Sequence, residues 1–466
     1  MQKITVYNNL TKKYEELSLI NSPQVKIYTC GPTVYDHSHI GHARSSITWD
    51  LIVRFLRHLG YEVLWTRNIT DIDDKIINKA KELNELPTTI ARRFIRSFYE
   101  DMIALDIDWP DFEPRATQYL TEMQNFISEL IKKGSAYQID SDVYFSVASF
   151  KNYGCLKGQS VSELEKGFGR IEPNPKKKHP LDFALWKGAK DKNEYSFESP
   201  WGKGRPGWHL ECSAMNYAIY GEKIDIHGGG DDLIFPHHEN EIAQSESLTS
   251  KVFSKYWMHN GMIMVNGKKM AKSEGNFITI KDALKTTTSN AIRFFVLNSH
   301  YRMPLNYTEE AITAAQNGIY RLSESLSGFS DHKNHKNAGS NTINEYILEF
   351  NEVMSNDFNS PKALSILFKL TDKINLEKNE KIKEEFQNTL LYLANILGFN
   401  LMESNNIDSH TNKAFSKVID KLIDWRTECK SKKDFLVADK IRDILNECKI
   451  EVKDLSNNQF KWQIKI

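Results

Sequence analysis

No apolar run in the 466-residue chain approaches the roughly 20 residues needed to cross a bilayer. The opening Met1-Gln2-Lys3-Ile4-Thr5-Val6 lacks the pattern of a secretory signal. Net charge is missing as well, with 61 Lys plus Arg against 61 Asp plus Glu. That balance argues against a protein that coats nucleic acid indiscriminately, while leaving room for a local basic surface. Cysteine is scarce: Cys30, Cys155, Cys212, Cys429 and Cys448 are odd in number and far apart. They do not make a disulfide framework. The expected compartment is a reducing cytoplasm, where cysteine is core or a metal ligand. Internal repeats are absent too. What the chain does have is 40% hydrophobic and 26% charged residues, material for about three domains.

One stretch organises the rest: Cys30 to Arg44, CGPTVYDHSHIGHAR. It follows Val25-Lys26-Ile27-Tyr28-Thr29, which reads as a buried strand. It precedes Ser46–Leu56, which reads as a helix with one apolar face. Cys30 is therefore expected at a strand's C-terminal end, and His39-Ile40-Gly41-His42 where a helix begins. In open α/β sheets ligands bind at that junction. His39 and His42 are three apart and share a side of a helical turn. The helix end favours an anion, and two imidazoles beside it can hydrogen-bond a phosphate as charge builds. Gly41 has no Cβ, so a flat base can approach the backbone. A His-rich surface turn is the plain alternative; the strand before and the helix after weigh against it.

Residues 1–24 read as a short β segment and a polar approach. Tyr61–Thr66 is a second buried-type strand, so strand, helix and strand form a βαβ unit and a parallel sheet. Asp71, Asp73 and Asp74 invite a metal, but acids at a helix N-terminus are the better reading. From about Pro114 to Pro200 the pattern loosens into an insertion that splits the nucleotide-binding fold. Two apolar-periodic helices are expected to flank Asp140–Phe145, and Lys176-Lys177-Lys178 reads as solvated surface. The fold resumes at Gly207. Ile224–Asp232 reads as a strand, three glycines and two acids, an acid there suiting a ribose hydroxyl. Phe235–Glu241 reads as a helix start with Pro236 at an early position. Asn266-Gly267 signals a hairpin, followed at once by Lys268-Lys269-Met270-Ala271-Lys272-Ser273. Beyond Ile280 the pattern is largely helical, with linkers expected at 330–341 and 402–412. Lys413–Ile466 holds thirteen Lys or Arg against nine Asp or Glu, and an aromatic pair, Phe460 and Trp462, lies near its end.

His237 and Glu241 are four apart and share a helix face. Cys212 begins the same half of the fold, and Cys30 ends the first strand of the other. If the halves build one sheet, these four can converge above its C-terminal edge. Two thiolates, an imidazole and a carboxylate suit zinc. Cys155, His209, His227 and His238 are further candidates. A closed zinc site that only stiffens the fold, or two ordinary buried cysteines, would give the same spacing.

The segments CGPTVYDHSHIGHAR, RNITDIDDKI, GRPGWHLECSAM, HGGGDDLIFPHHENEIAQSE, KMAKSEGN and KDFLVADKIRDIL together resemble the cysteinyl-tRNA synthetase family, class I aminoacyl-tRNA synthetases, nearly end to end. The resemblance implies an α/β Rossmann-type parallel sheet split by an insertion, then a helical tRNA-binding domain and a small C-terminal domain. The implied boundaries are 1–115 and 201–250 for the halves of the fold, 116–200 for the insertion, 251–310 for a stem-contact region, 311–401 for the helical domain and 402–466 for anticodon recognition. It implies one Zn²⁺ held by Cys30, Cys212, His237 and Glu241. ATP, with Mg²⁺, would meet His39, Gly41, His42, Gly230, Asp232, Lys269 and Lys272. Of these, His39, His42, Lys269 and Lys272 would be catalytic. Thr70 and Trp208 would line the pocket for L-cysteine. Ala271 stands where the family's loop motif has Ser, a position without phosphate-binding charge. The implied partners are ATP, L-cysteine and tRNA(Cys), with no membrane, and the implied state is a monomer. Lys176–Lys178 gains a second reading, contact with a tRNA acceptor end, and Trp462 has two equal ones, stacking on anticodon bases or closing a small core as a buried residue. Rival readings are a cysteine ligase of a small aminosugar, an inactive tRNA-binding relative, and a zinc hydrolase, which the absence of HExxH disfavours.

Overall fold

A computed structural model describes residues 2–167, 177–191, 194–270, 275–329, 341–432, 434–448, 450–454 and 460–464. A hairpin of β1 (Thr5–Asn8) and β2 (Lys13–Glu16) precedes β3 (Gln24–Thr29). The chain then enters α1 (Ile40–His58) and returns in β4 (Glu62–Arg67), parallel to β3. Next come α2 (Asp74–Leu83) and α3 (Pro87–Ala104), joined through Ile76, Ala80, Ile90 and Phe94.

The insertion is α4 (Leu120–Lys132) and a sheet of β5 (Ala136–Ile139), β6 (Asp142–Phe145), β7 (Phe183–Gly188) and β8 (Gly204–Pro206), antiparallel throughout. Met123, Phe126, Val143, Phe145 and Trp186 fill its core. Only α4 flanks the β5–β6 hairpin directly. Where a second helix was expected, a 3₁₀ turn at Val147–Ser149 leads into a loop, and α5 (Val161–Gly167) starts late. Gly154 and Gly158 stand at φ +98° and +74° in that loop, backbone that an α-helix does not use.

α6 (Trp208–Tyr220), β9 (Ile224–Gly230), α7 (Glu239–Thr249) and β10 (Ser254–Asn260) complete the central sheet, whose order is β10-β9-β3-β4, all parallel. From β3 the chain builds outward to β4, then crosses back to place β9 on the other side. The order reverses between β3 and β9, where Thr29 stands opposite Gly228. A crevice opens beyond the carboxyl ends of such a pair.

α1 is buried at thirteen of its nineteen positions, including Arg44, Thr48 and Asp50. The expected single apolar face is thus too narrow a description, because later parts of the chain wrap the helix. Trp49 packs on β9 so closely that a Cβ at Gly228 would stand 1.7 Å from its ring. Arg44 donates to the carbonyls of Met262 (2.5 Å), Tyr301 (3.1 Å) and Met303.

The hairpin of β11 (Ile263–Val265) and β12 (Lys268–Lys269) turns through Asn266 and Gly267, both at positive φ as a two-residue primed turn requires. Then follow α8 (Ile280–Thr286), α9 (Ser289–Leu297), β13 (Leu305–Tyr307) beside β11, α10 (Glu309–Glu324), α11 (Asn341–Ser355), α12 (Ser360–Leu376) and α13 (Glu380–Ile396). Thr279, Thr288, Thr308, Asn359 and Asn379 cap five of these helices.

Of the two expected linkers, residues 330–340 lie outside the described residues. The other is overturned: α14 (Leu401–Ser431) runs as helical backbone through 402–412. That stretch has neither Pro nor Gly, and polarity alone does not break a helix. The chain divides into two compact units, Met1–Asn400 and Leu401–Ile466. The second comprises α14, α15 (Phe435–Glu447) and the hairpin β14 (Ile450–Asp454) with β15 (Phe460–Ile464), around Ile419, Ile423, Ile441, Leu445 and Ile450. No helix among the described residues is long and apolar enough to cross a membrane.

Candidate active site

A cleft of about 510 Å³ lies at the β3–β9 crevice. Its lining includes Cys30, His39, Gly41, His42, Trp208, Gly230, Asp232 and Lys269, eight of the thirteen residues singled out from the sequence. Cys212, His237 and Glu241 are buried beneath it. Lys272 lies outside the described residues. Thr70 is buried too and is not part of this lining. It pairs with Thr33, which does line the cleft, and its hydroxyl donates to Glu211 at 2.7 Å.

His39 is the N-cap of α1, and its Nδ1 accepts from Gly41 N–H at 3.0 Å. His42 Nδ1 accepts from His39 N–H at 3.1 Å. A backbone amide can only donate, so in the neutral rings the proton sits on Nε2 of both. The rings stack at 3.9 Å. Burial keeps both neutral: it lowers His39 to about 4 and His42 well below its ordinary value, with His39 and then Lys75 adding to the latter. Two imidazole N–H donors thus stand at a helix N-terminus. Gly41 has a second reason to lack a side chain, since a Cβ would stand 2.8 Å from the His39 ring.

The three glycines of β9 serve different ends. Gly228 makes room for Trp49, not for a ligand, whereas Gly230 lines the cleft beside Asp232. The expected helix start at Pro236 is also irregular. Phe235 leaves helical backbone (φ −142°, ψ 132°), the Phe235–Pro236 peptide is cis, and α7 begins only at Glu239. His237 and His238 sit in the turn between.

Below the cleft, Cys30 Sγ is 3.5 Å from Cys212 Sγ, from His237 Nε2 and from Glu241 Oε1, and His237 Nε2 is 3.0 Å from Glu241 Oε1. Separations near 3.5 Å are the edges of a tetrahedron with arms of about 2.0–2.3 Å, so the donor set fits a metal ion. A second grouping, Cys30, His227, His238 and Glu241, shares two of these residues. His227 is already engaged at both nitrogens, Nδ1 with Tyr28 O (2.9 Å) and Nε2 with Glu241 Oε2 (2.7 Å). It therefore aims Glu241 rather than competing with it. His238 Nδ1 is likewise held by His259 Nε2 at 2.8 Å. Cys155 stands apart, against Glu239.

Charge in the cluster is set by its members. Burial pushes Glu241 up, but His227 and His237 outweigh it and hold the carboxyl at about 2. Burial pushes His237 down, yet Glu241 and Cys212 carry it to about 10. Burial and the hydrogen bond with Cys212 raise Cys30, while that bond, against burial, brings Cys212 to about 6. A carboxylate, a thiolate and an imidazolium are the result, and a cation would displace the protons that remain.

Sequence reasoning missed Asn68, whose Oδ1 accepts from Gly31 N–H (2.9 Å) and stands 3.6 Å from Cys212 Sγ. It also read Asp71, Asp73 and Asp74 without weighing Lys75, which lines the cleft.

The fold itself is shared with solved structures. Mycobacterium tuberculosis methionyl-tRNA synthetase in complex with methionyl-adenylate aligns over 80% of this chain and 89% of its own, with TM-score 0.55 and 14% identity. A putative arginyl-tRNA synthetase from Campylobacter jejuni covers 82% and 92%, with TM-score 0.53 and 15% identity. The model for the tRNA synthetases class I (C) catalytic domain matches residues 16–317, and that for the DALR domain matches 349–402. The class is thereby fixed as a class I aminoacyl-tRNA synthetase. Cysteine--tRNA ligases of Thermococcus onnurineus (44% identical, 97% of each chain) and Geobacter sulfurreducens (41%, 99% of this chain and all of the relative) extend the match to full length. The chain belongs to the cysteine--tRNA ligase family.

Proposed function

We propose that this cleft joins L-cysteine to ATP as cysteinyl-adenylate and passes the cysteinyl group to tRNA(Cys), with one Zn²⁺ at the cluster selecting the substrate. One observation carries the reading: the four-donor cluster reaches the cleft at Cys30, and Trp208 on the lining lies flat against His237. Substrate sulfur and the histidines of α1 would thus meet in one cavity.

Cysteine and serine are nearly isosteric, and shape alone separates such pairs by only about 10²-fold. Zinc in this site would supply a soft Lewis acid, which prefers a thiolate to an alcohol. Cys30, Cys212, His237 and Glu241 would hold it, with His227 orienting Glu241. In activation a cysteine carboxylate oxygen bonds to the α-phosphorus and pyrophosphate leaves. His39 and His42 would each offer an Nε2 proton as charge builds, and Lys269 and Lys272 would neutralise the departing group. Gly230 and Asp232 suit the ribose side of the nucleotide, and Mg²⁺ would arrive with ATP. The tRNA would lie along the helices after Ile280 and the basic C-terminal unit. A reducing cytoplasm would keep the five cysteines free, as they are here.

The aminosugar ligase alternative is less favoured, since the DALR region and the full-length match extend beyond a catalytic half. An inactive relative would have no need of His39, His42 and Lys269 on one cleft. The test compares cysteine- and serine-dependent ATP–pyrophosphate exchange, together with zinc content, in wild type and Cys212→Ser. The substitution should lower zinc content and weaken discrimination; if neither changes, zinc selection is rejected.

A further inference from the structure

Lys75 stands in a run of acids, and none of them pairs with it. Asp71 accepts from Thr117 N–H (2.9 Å) and Oγ1 (2.6 Å). Asp73 caps α2 by accepting the backbone N–H of Lys75 itself at 2.8 Å. Asp74 is taken by Lys187 (2.7 Å) and Arg205 (2.6 Å), two residues of the insertion. The Lys75 ammonium lies instead 5.4 Å over the ring of Tyr35. Both residues line the cleft, as do His39, His42 and Lys269. The lysine is exposed, so its charge is available to a ligand in the cavity. Its field reaches His42, where it opposes protonation.

A cation whose nearest acids are all committed elsewhere, held over an aromatic face at a helix N-terminus, is suited to an oxyanion. The neutral imidazoles of His39 and His42 supply hydrogen bonds but no positive charge. We propose that Lys75 is a catalytic residue of the activation step, whose ammonium binds a non-bridging oxygen of the ATP phosphate chain and offsets charge as pyrophosphate departs. The carboxylate oxygen of cysteine bonds to the α-phosphorus. The bond from that phosphorus to the bridging oxygen breaks, and its electron pair leaves with pyrophosphate. Lys75 keeps all its protons throughout. The inference rests on the reading of this cleft as the ATP site.

The test uses full-length Lys75→Met and Lys75→Arg, measured by cysteine-dependent ATP–pyrophosphate exchange and by tRNA charging. Loss of one preorganised charge-stabilising donor typically costs about 10²–10³-fold in kcat. Lys75→Met should lose about that much in exchange while KM for cysteine stays within about twofold, and Lys75→Arg should recover at least about tenfold. Exchange at the wild-type rate in Lys75→Met overturns the proposal. Intact exchange with impaired charging also overturns it, and moves the contact to a tRNA phosphate. Equal loss in both variants with a raised KM for cysteine marks a structural role and overturns it as well. Wild-type protein without cysteine-dependent exchange would sink the parent reading, and this proposal with it.

Discussion

Trp208 lies flat on His237, ring centroids 4.3 Å apart and planes 23° from parallel. One residue faces the cleft and the other belongs to the buried cluster, so the stack ties the cleft wall to the four donors proposed to hold zinc. Trp208→Ala should raise KM for cysteine about tenfold, the scale of a lost aromatic pair together with its packing. Zinc content should stay near one per chain, since all four donors remain. Steady-state exchange with metal analysis checks both, and an unchanged KM would sever the link.

His227 holds the proposed metal site through Glu241, its other ring nitrogen being engaged by Tyr28 O. Removing such an outer partner typically costs about 10–100-fold in metal affinity. His227→Ala should therefore lose zinc to a chelator at about that much lower chelator concentration, while Cys212→Ser loses more. Equal resistance of His227→Ala and wild type would show that Glu241 needs no support.

Arg293 is almost wholly buried and joins four parts of the first unit. It donates to Asp50 on α1 (2.5 Å), to Leu105 O (3.2 Å) and Asp106 O (2.8 Å) after α3, and to Leu397 O (3.3 Å) after α13. Breaking a buried pair by removing one partner costs about 3–5 kcal/mol. Arg293→Met should lower unfolding stability by about that amount in urea titration. A shift under about 1 kcal/mol would mean that Arg54, which also holds Asp50 at 3.0 Å, carries the pair alone.

Burial holds His39 at about 4 in the folded chain against 6.5 ordinarily. As pH falls through that window the unfolded chain takes up a proton the folded one refuses, so stability declines from about pH 6.5 to about pH 4. Above 6.5 this contribution is constant. His39→Asn keeps a good N-cap and removes the titration, so its stability slope over that window should be smaller by up to one proton. Parallel slopes for the two proteins would place the effect elsewhere.

Much of the site was legible because its spacings are short. His39 and His42 share a helical turn, His237 and Glu241 sit one turn apart, and Asn266-Gly267 announces its hairpin. Each is fixed by local backbone periodicity. The role of Gly228 was not legible, because the ring that excludes a side chain there belongs to Trp49, far away in sequence. The 402–412 segment looked like a linker by polarity, yet nothing in it stops a helix.

By itself the sequence determined the parallel βαβ core, the helix start at His39-Ile40-Gly41-His42, the lysine hairpin and the residue types able to hold a soft metal, because strand and helix periods are local properties. Only the tertiary structure decided which donors converge. Cys30 and Cys212 are 182 residues apart in sequence and 3.5 Å apart in space, and His227 serves Glu241 rather than joining them. That choice depends on the strand order β10-β9-β3-β4, which sets the ends of β3 and β9 side by side, a long-range pairing that no local pattern encodes.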